Sequence, residues 1–311
     1  LTTLGAGGPA EKYVFASTAA ELAEAALEAQ AEGTPITSLG WGSNVLVSDA
    51  GVPGLVLHNR ATRISLQLRD GGGSVFACTG AAFQELFLKT AQAGLQGFEY
   101  AVGIPGTVGG ALVSNAGAYR SQVSEFLTEL ELCHDGERKW VGPEWMEFGY
   151  RDSRLRREGT HASAVLLCAR FEVSSGPAWG IYQEAREYQR QRILKQPPSA
   201  SAGSFFKNVH DAELASRLPA LPAPLKEKGI IPAGYLLEAV GLKGFRRGPV
   251  GFGVRHANFI LNLGGASATE IRRLAELGKR RVYHAYGVRL EEEVLYVGDW
   301  SDYEPQEPEG G

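Results

Sequence analysis

Sixteen residues from Gly103 to Ala118, GIPGTVGGALVSNAGA, hold five glycines and three alanines and no charged side chain. Backbone this bare can approach a ligand closely. Glycine at positive φ lets successive N–H groups turn inward together, the arrangement that holds phosphate oxygens. Gly40-Trp41-Gly42-Ser43-Asn44 is a second such turn, set between strand-like Ile36 to Leu39 and Val45 to Val47, with more strand-like sequence from Gly54 to His58. A dinucleotide-binding or P-loop glycine turn feeds a strand into a helix that holds the phosphate at its N-terminus. A glycine turn between strands therefore disfavours both of those folds.

The elements that must position these loops are marked by caps and turns. Thr18-Ala19-Ala20-Glu21 is a capping-box pattern, Leu22, Ala25, Ala26 and Ala29 give one apolar helix face, and Gly33 can end the helix. Strands and turns alternate from Pro35 to Gly80, with Asp70 to Gly73 as a hairpin turn between Ile64 to Leu68 and Val75 to Cys78. The pattern predicts a helix from Ala81 to about Ala93, then strands at Glu129 to Cys133 and Val165 to Val173 around an Asp135-Gly136 turn. A polar helix over Tyr182 to Leu194 ends at Pro197-Pro198, and the small residues Ser199 to Gly203 mark a domain boundary. Ser267-Ala268-Thr269-Glu270 opens a further helix to about Tyr286, between strand-like Asn258 to Leu263 and Glu293 to Val297, which predicts a βαβ-type unit. The tail from Gly298 to Gly311 has five acids, no bases and two prolines, and is expected to be disordered.

A chain of 311 residues with 44% hydrophobic and 21% charged residues suits a globular protein of two domains. The net charge of −4 and the lack of basic runs interleaved with aromatics argue against a nucleic-acid partner. No apolar run approaches the roughly 20 residues that span a bilayer, and a cytoplasmic location is expected. Cys78, Cys133 and Cys168 each lie in a strand-like stretch, so buried free thiols are expected rather than a disulfide or a metal site. The sequence starts at Leu1 and its single Met is Met146, so some native N-terminal residues are expected to be missing.

Five segments stand in order along the chain: LGWGSNVLVSDAG from Leu39, the glycine-rich run from Gly103, FGYRDS from Phe148, AGSFFKN from Ala202 and LEEEV from Leu290. Each glycine loop alone is common among FAD-binding proteins, whereas YRDS and GSFFKN are specific. Together, from about Thr2 to Gly298, they resemble the UDP-N-acetylenolpyruvoylglucosamine reductase family, flavoenzymes of bacterial peptidoglycan synthesis. The short stretch between Arg151 and Ser204 resembles the shorter branch of that family. The resemblance implies an α+β fold: an FAD-binding region of the vanillyl-alcohol-oxidase (PCMH) type over 1–198, in two α/β subdomains divided near residue 80, and a smaller α/β substrate domain over 199–298. It further implies FAD, NADPH as hydride donor and UDP-N-acetylglucosamine enolpyruvate as substrate; the first glycine loop has no His or Cys within a dozen residues on either side, so the flavin is expected to be non-covalent, and for the oligomeric state, which the sequence does not resolve, a monomer is favoured.

The same resemblance assigns the site. Reduction of an enolpyruvyl ether builds negative charge at C2 and the carboxylate, so one group must stabilise charge and another must deliver a proton. Arg151 matches the family's catalytic arginine, with Asp152 able to orient it. Ser204 matches the family's general acid, and Glu293 its third catalytic residue. A carboxylate beside an enolate would repel it, so Glu293 is expected to act in its protonated form, favoured by burial. Taken alone, Arg151 reads as a surface arginine, Ser204 as a turn serine, and 291–293 as a solvated acidic edge. The flavin contacts are expected from Gly40, Trp41, Gly42, Ser43, Asn44, Gly103, Ile104, Pro105, Gly106, Thr107, Gly109, Gly110, Ala111, Asn115, Ala116 and Gly117. Tyr150, Lys195, Lys207, Asn208 and His256 are the candidates for binding substrate.

Some positions depart from the family pattern. Trp41 stands where glycine is usual, Val209 where proline is common, Gly5 where arginine is frequent, and Leu221 to Leu225 where a tyrosine often precedes proline. None removes a reacting group. Another flavin oxidoreductase of the same fold, or a flavin- or nucleotide-sugar-binding protein without turnover, are the competing readings.

Overall fold

The protein is described here from a computed structural model, over residues 1–159 and 164–305. The chain opens with β1 (Ala10–Ala16), α1 (Ala19–Ala31), β2 (Ile36–Leu39), β3 (Val45–Val47) and β4 (Val52–Asn59). β1, β4 and β2 form a parallel sheet in that order. Thr18 caps α1 by accepting from the Glu21 N–H at 3.1 Å, but the Glu21 carboxylate accepts from Ser17 N rather than completing the box on Thr18. Gly33, at φ +67°, ends the helix, with its own N–H donating to Gln30 O and that of Thr34 to Ala29 O.

A hairpin of β5 (Ile64–Arg69) and β6 (Gly72–Cys78) follows, then α2 (Phe83–Gln92), β7 (Leu95–Gln96) and α3 (Val108–Val113). A small hairpin, β8 (Gly117–Ala118) and β9 (Ser121–Gln122), leads to β10 (Leu127–His134) and β11 (Glu137–Val141). α4 (Arg154–Glu158), β12 (Ala164–Ser175) and α5 (Ala178–Lys195) complete the region. The second sheet has the antiparallel order β11-β10-β12-β6-β5. Because β5 and β6 already belong to it, the change of sheet falls between Asn59 and Ile64, upstream of the expected division near residue 80. The narrow face of α1 lets both sheets close on it: Leu22 and Ala26 pack with Leu57 of the first sheet and with Cys78, Cys133 and Leu167 of the second. All three cysteines are buried free thiols, as expected, and Cys78 and Cys168 face each other with sulfurs 3.4 Å apart.

The remaining chain forms β13 (Ala200–Ser204), β14 (Val209–His210), α6 (Ala212–Arg217), α7 (Ala223–Glu227), β15 (Ile230–Ile231) and α8 (Ala233–Ala239). β16 (Arg246–Arg247), β17 (Val250–Phe252), β18 (Phe259–Asn262), α9 (Ala268–Tyr286) and β19 (Leu295–Val297) end it. A sheet of order β13-β18-β17-β16 packs against α8 and α9, and Ser267 with Glu270 makes the full capping box expected for α9.

The expected βαβ unit does not form. Both edges of β18 are taken, by β13 and β17, so the strand after α9 finds its partner elsewhere. β19 runs parallel to β3 in the first region, Leu295 opposite Val45 and Val297 opposite Val47. The N-terminal residues cross the other way: Leu4 is buried in the core of the second region, held by Asn262 Nδ2 donating to Leu4 O at 2.8 Å. The tail also departs from expectation over 299–305. Tyr296, Trp300 and Tyr303 surround the Arg272 guanidinium at 4.6, 4.7 and 3.9 Å, burying aromatic surface that acidic composition alone does not reveal. Residues 306–311 lie outside the described residues.

Leu46 tests this crossed arrangement. It sits in β3 of the first region yet is fully buried in the core of the second. Leu46→Ala should cost about 2–5 kcal/mol in chemical or thermal unfolding, where a residue of an independent first region would leave the second unaffected.

Candidate active site

The two glycine loops meet at the wall of a cleft of about 440 Å³. They approach so closely that a Cβ on Gly40 would lie 2.5 Å from Thr107 Oγ1, and one on Gly106, at φ +126°, would lie 2.8 Å from Ser43 Oγ. Ser43 Oγ donates to Pro105 O at 3.0 Å and locks one loop to the other. Thr107 Oγ1 accepts from Gly110 N and caps α3. Among the described residues, the N–H groups of Ser43, Gly106 and Thr107 donate to no protein acceptor. Such a bare, donor-rich seam fits the diphosphate of a dinucleotide cofactor.

Arg151 occupies a turn that presents it by force. Gly149 and Asp152 exchange backbone hydrogen bonds of 3.0 and 3.3 Å around Tyr150 and Arg151. Arg151 takes φ +50°, the third turn position that glycine usually fills, at a cost of about 1–2 kcal/mol for an L-residue. Side-chain anchors hold it there: Nη1 donates to Asn115 O at 3.2 Å and Nη2 to Gly117 O. Asn115, fully buried, donates to Gly149 O at 2.8 Å and so secures the same turn. The sequence reading gave Asn115 to the flavin; its side chain serves Arg151 instead.

Glu293 faces Arg151 across the cleft, with Nε 3.5 Å from Oε1. Its backbone is gripped from two sides, by Asn44 Nδ2 donating to Glu293 O at 3.0 Å and by Glu293 N donating to Phe205 O at 2.8 Å. The Ser204 end of β13 is thereby placed beside Glu293. Gly203, at φ +78°, interrupts the β13–β18 register and turns Ser204 into the cleft, where its hydroxyl has no protein partner among the described residues. Asn258, only 3% exposed, completes the frame, donating from Nδ2 to Phe206 O and accepting from Phe206 N at Oδ1.

Arg151, Ser204 and Glu293 thus converge on one cleft, together with Tyr150, Asn208 and both loops. Gly40 to Asn44, Ile104 to Thr107, Gly109 to Ala111, Ala116 and Gly117 line it, whereas Gly103 and Asn115 do not. Lys207 is also turned aside, its Nζ 3.4 Å from Glu291 Oε2. His256 Nδ1 accepts from Asn258 N at 3.2 Å and its ring packs on Phe259, so it shapes the loop behind the cleft rather than lining it. Asp152 pairs with Arg157 at 2.6 Å instead of orienting Arg151. The side chain of Lys195 lies outside the described residues.

Sequence reasoning missed Arg192, on α5. It lines the cleft, sits 5.7 Å over the Tyr119 ring, donates to Tyr100 O at 3.3 Å, and leaves Nε buried without a partner among the described residues. Tyr119 in turn stacks on Tyr188 at 3.7 Å, from a hairpin tip where Tyr119 and Arg120 both have positive φ. In the sequence, Arg192 is one cation among several on a polar helix, and nothing in its spacing singles it out.

This combination of a glycine-loop cleft between two sheets and a following α/β unit suits an FAD-binding protein with a second domain. A family profile described as an FAD binding domain matches residues 10–142, and one described as the C-terminal domain of UDP-N-acetylenolpyruvoylglucosamine reductase matches 195–297. The chain is 39% identical over 307 residues to the UDP-N-acetylenolpyruvoylglucosamine reductase of a Synechococcus strain, covering 97% of this chain and 90% of that one. It is 37% identical to that of Rubrobacter xylanophilus, covering 94% and 91%. The crystal structure of UDP-N-acetylenolpyruvylglucosamine reductase (MurB) from Thermus caldophilus matches with a TM-score of 0.72 at 33% identity, over 95% of each chain. The chain belongs to the UDP-N-acetylenolpyruvoylglucosamine reductase family. Among the described residues no helix is long and apolar enough to cross a membrane.

Burial pushes the Glu293 carboxyl above the usual glutamate range, against the opposing pull of Arg151, Arg156 and Lys207. A folded-state pKa above the unfolded one gives stability that is fully present below the ordinary glutamate value and is lost as pH rises through the raised value. Glu293→Gln stays neutral throughout. It should gain thermal stability relative to the parent protein as pH climbs through that window; parallel stability curves for the two would contradict the buried acid.

Proposed function

We propose that the protein reduces UDP-N-acetylglucosamine enolpyruvate to UDP-N-acetylmuramate with NADPH, in peptidoglycan precursor synthesis. The observation that carries this reading is the meeting of Arg151, Ser204 and Glu293 in one cleft beside the glycine loops. Residues 1–198 form the flavin region and 199–298 the substrate unit, with β19 returning to close the site. The loop N–H groups would hold the diphosphate of FAD, and bound there FAD would supply hydride chemistry between NADPH and the substrate.

The chain's own residues do the rest. The Arg151 guanidinium, fixed by two carbonyls, binds the substrate carboxylate, and its attraction grows as negative charge develops there. Ser204 gives its proton to C2 as hydride arrives at the CH₂ carbon. Glu293, held as the neutral acid, donates a hydrogen bond to the same developing charge instead of repelling it. Tyr150, Asn208 and Arg192 line the cleft, where the Arg192 guanidinium offers positive charge to the anionic nucleotide end.

Separating the two half-reactions tests this assignment. Ser204→Ala should load FAD and accept electrons from NADPH at the parental rate, while substrate-dependent flavin reoxidation falls by about 10²-fold or more. Arg151→Lys should slow the same half-reaction, since a point charge replaces a fork. Near-parental turnover in Ser204→Ala would remove the proton role.

A further inference from the structure

Arg156 is a buried arginine that the reaction as described does not use. It is 8% exposed, on α4, and its guanidinium makes one hydrogen bond, Nη2 to the backbone O of Glu292 at 2.9 Å, leaving Nη1 buried without a partner among the described residues. A buried cation is costly unless something compensates it. Of the carboxylates whose fields reach it, Asp152 pairs with Arg157, Glu291 with Lys207, and Glu292 turns its carboxylate to Lys279 at 2.9 Å. Glu293 exerts the largest of those four attractions, and it is paired across the cleft with Arg151.

The backbone explains how the two arginines divide the work. Arg151 and Arg156 lie on either side of Ser153, whose Oγ donates to Val113 O at 2.6 Å and accepts from Arg156 N at 3.2 Å. One short unit therefore addresses two successive residues of the returning strand, the carboxyl of Glu293 and the carbonyl of Glu292. We propose that Arg156 is a positioning residue for the reduction: it fixes the Glu292 peptide, and through it the Glu293 carboxyl opposite Arg151, and its positive charge acts on that carboxyl. The proposal rests on the role given to Glu293 above. The other groups whose fields reach Glu293 are Arg151 and Tyr150 from the turn and Lys207 from the segment after β13, while its neighbours Glu291 and Glu292 pair with Lys207 and Lys279.

Two substitutions separate charge from geometry in the FAD-loaded enzyme. Arg156→Gln removes the charge and leaves a shorter, neutral amide in its place; Arg156→Lys keeps the charge. With a cation removed, the carboxyl holds its proton to higher pH. The alkaline limb of substrate-dependent flavin reoxidation should therefore move up by about one pH unit in Arg156→Gln and stay in place in Arg156→Lys, with flavin reduction by NADPH unchanged in both. A second readout needs no turnover: the pH at which Glu293→Gln gains thermal stability should move up by a similar amount in the Arg156→Gln background. An unmoved limb and an unmoved stability window in Arg156→Gln, or equal movement in both variants, would overturn the proposal. Parental turnover in Glu293→Gln would instead overturn the catalytic reading of Glu293, and the stability arm would still decide whether Arg156 faces it.

Discussion

The structure depends on one return of the chain. After α9 the backbone leaves the second region, and residues 291–297 lie between the first region and the segment after β13, hydrogen-bonded to both. That double pairing sets Glu293 opposite Arg151 of the first region and beside the segment that follows Ser204. Leu4 crossing in the opposite direction and Leu46 buried in the far core make the same seam apolar and stiff. The catalytic geometry is thus set by tertiary pairing rather than by either region's local propensity.

Around that seam, unfavourable choices are concentrated and each has a compensating contact. Arg151 takes a backbone conformation suited to glycine, and Asn115 with two carbonyls holds it there. Glu293 is a carboxyl in a largely enclosed place, raised by burial and restrained by cations on several sides. Burial and the neighbouring cations thus act on the Glu293 carboxyl in opposite directions, which is the balance the proposed reduction would draw on. The interlocked glycine loops add rigidity on the cofactor side, since a Cβ at Gly40 would press into Thr107 and one at Gly106 would have to take φ +126°.

Much of this was legible in the residues. The ends of α1 and α9, the C-terminal end of α5, the β5–β6 hairpin and the segments that meet at the cleft were readable because caps, turns and motifs are local signals, whereas α5 begins at Ala178, four residues before its expected start. The partner of β19 was not, because strand exchange between regions is decided by which edges remain open, here β3 rather than β18. His256, Lys207 and Asp152 had the right chemistry in the right segments but spend it on Asn258, Glu291 and Arg157. Arg156 and Arg192 were invisible for the opposite reason: an arginine on a short or polar helix looks solvated until tertiary packing encloses it.

The central claim is that this seam assembles a site for flavin-dependent reduction of an enolpyruvyl ether. Anaerobic half-reaction measurement tests it most directly: the FAD-loaded protein is reduced with NADPH, UDP-N-acetylglucosamine enolpyruvate is added without oxygen, and the visible flavin absorbance is followed. The account predicts prompt reoxidation with one lactyl-ether product per flavin. A flavin that stays reduced until oxygen is admitted would contradict it.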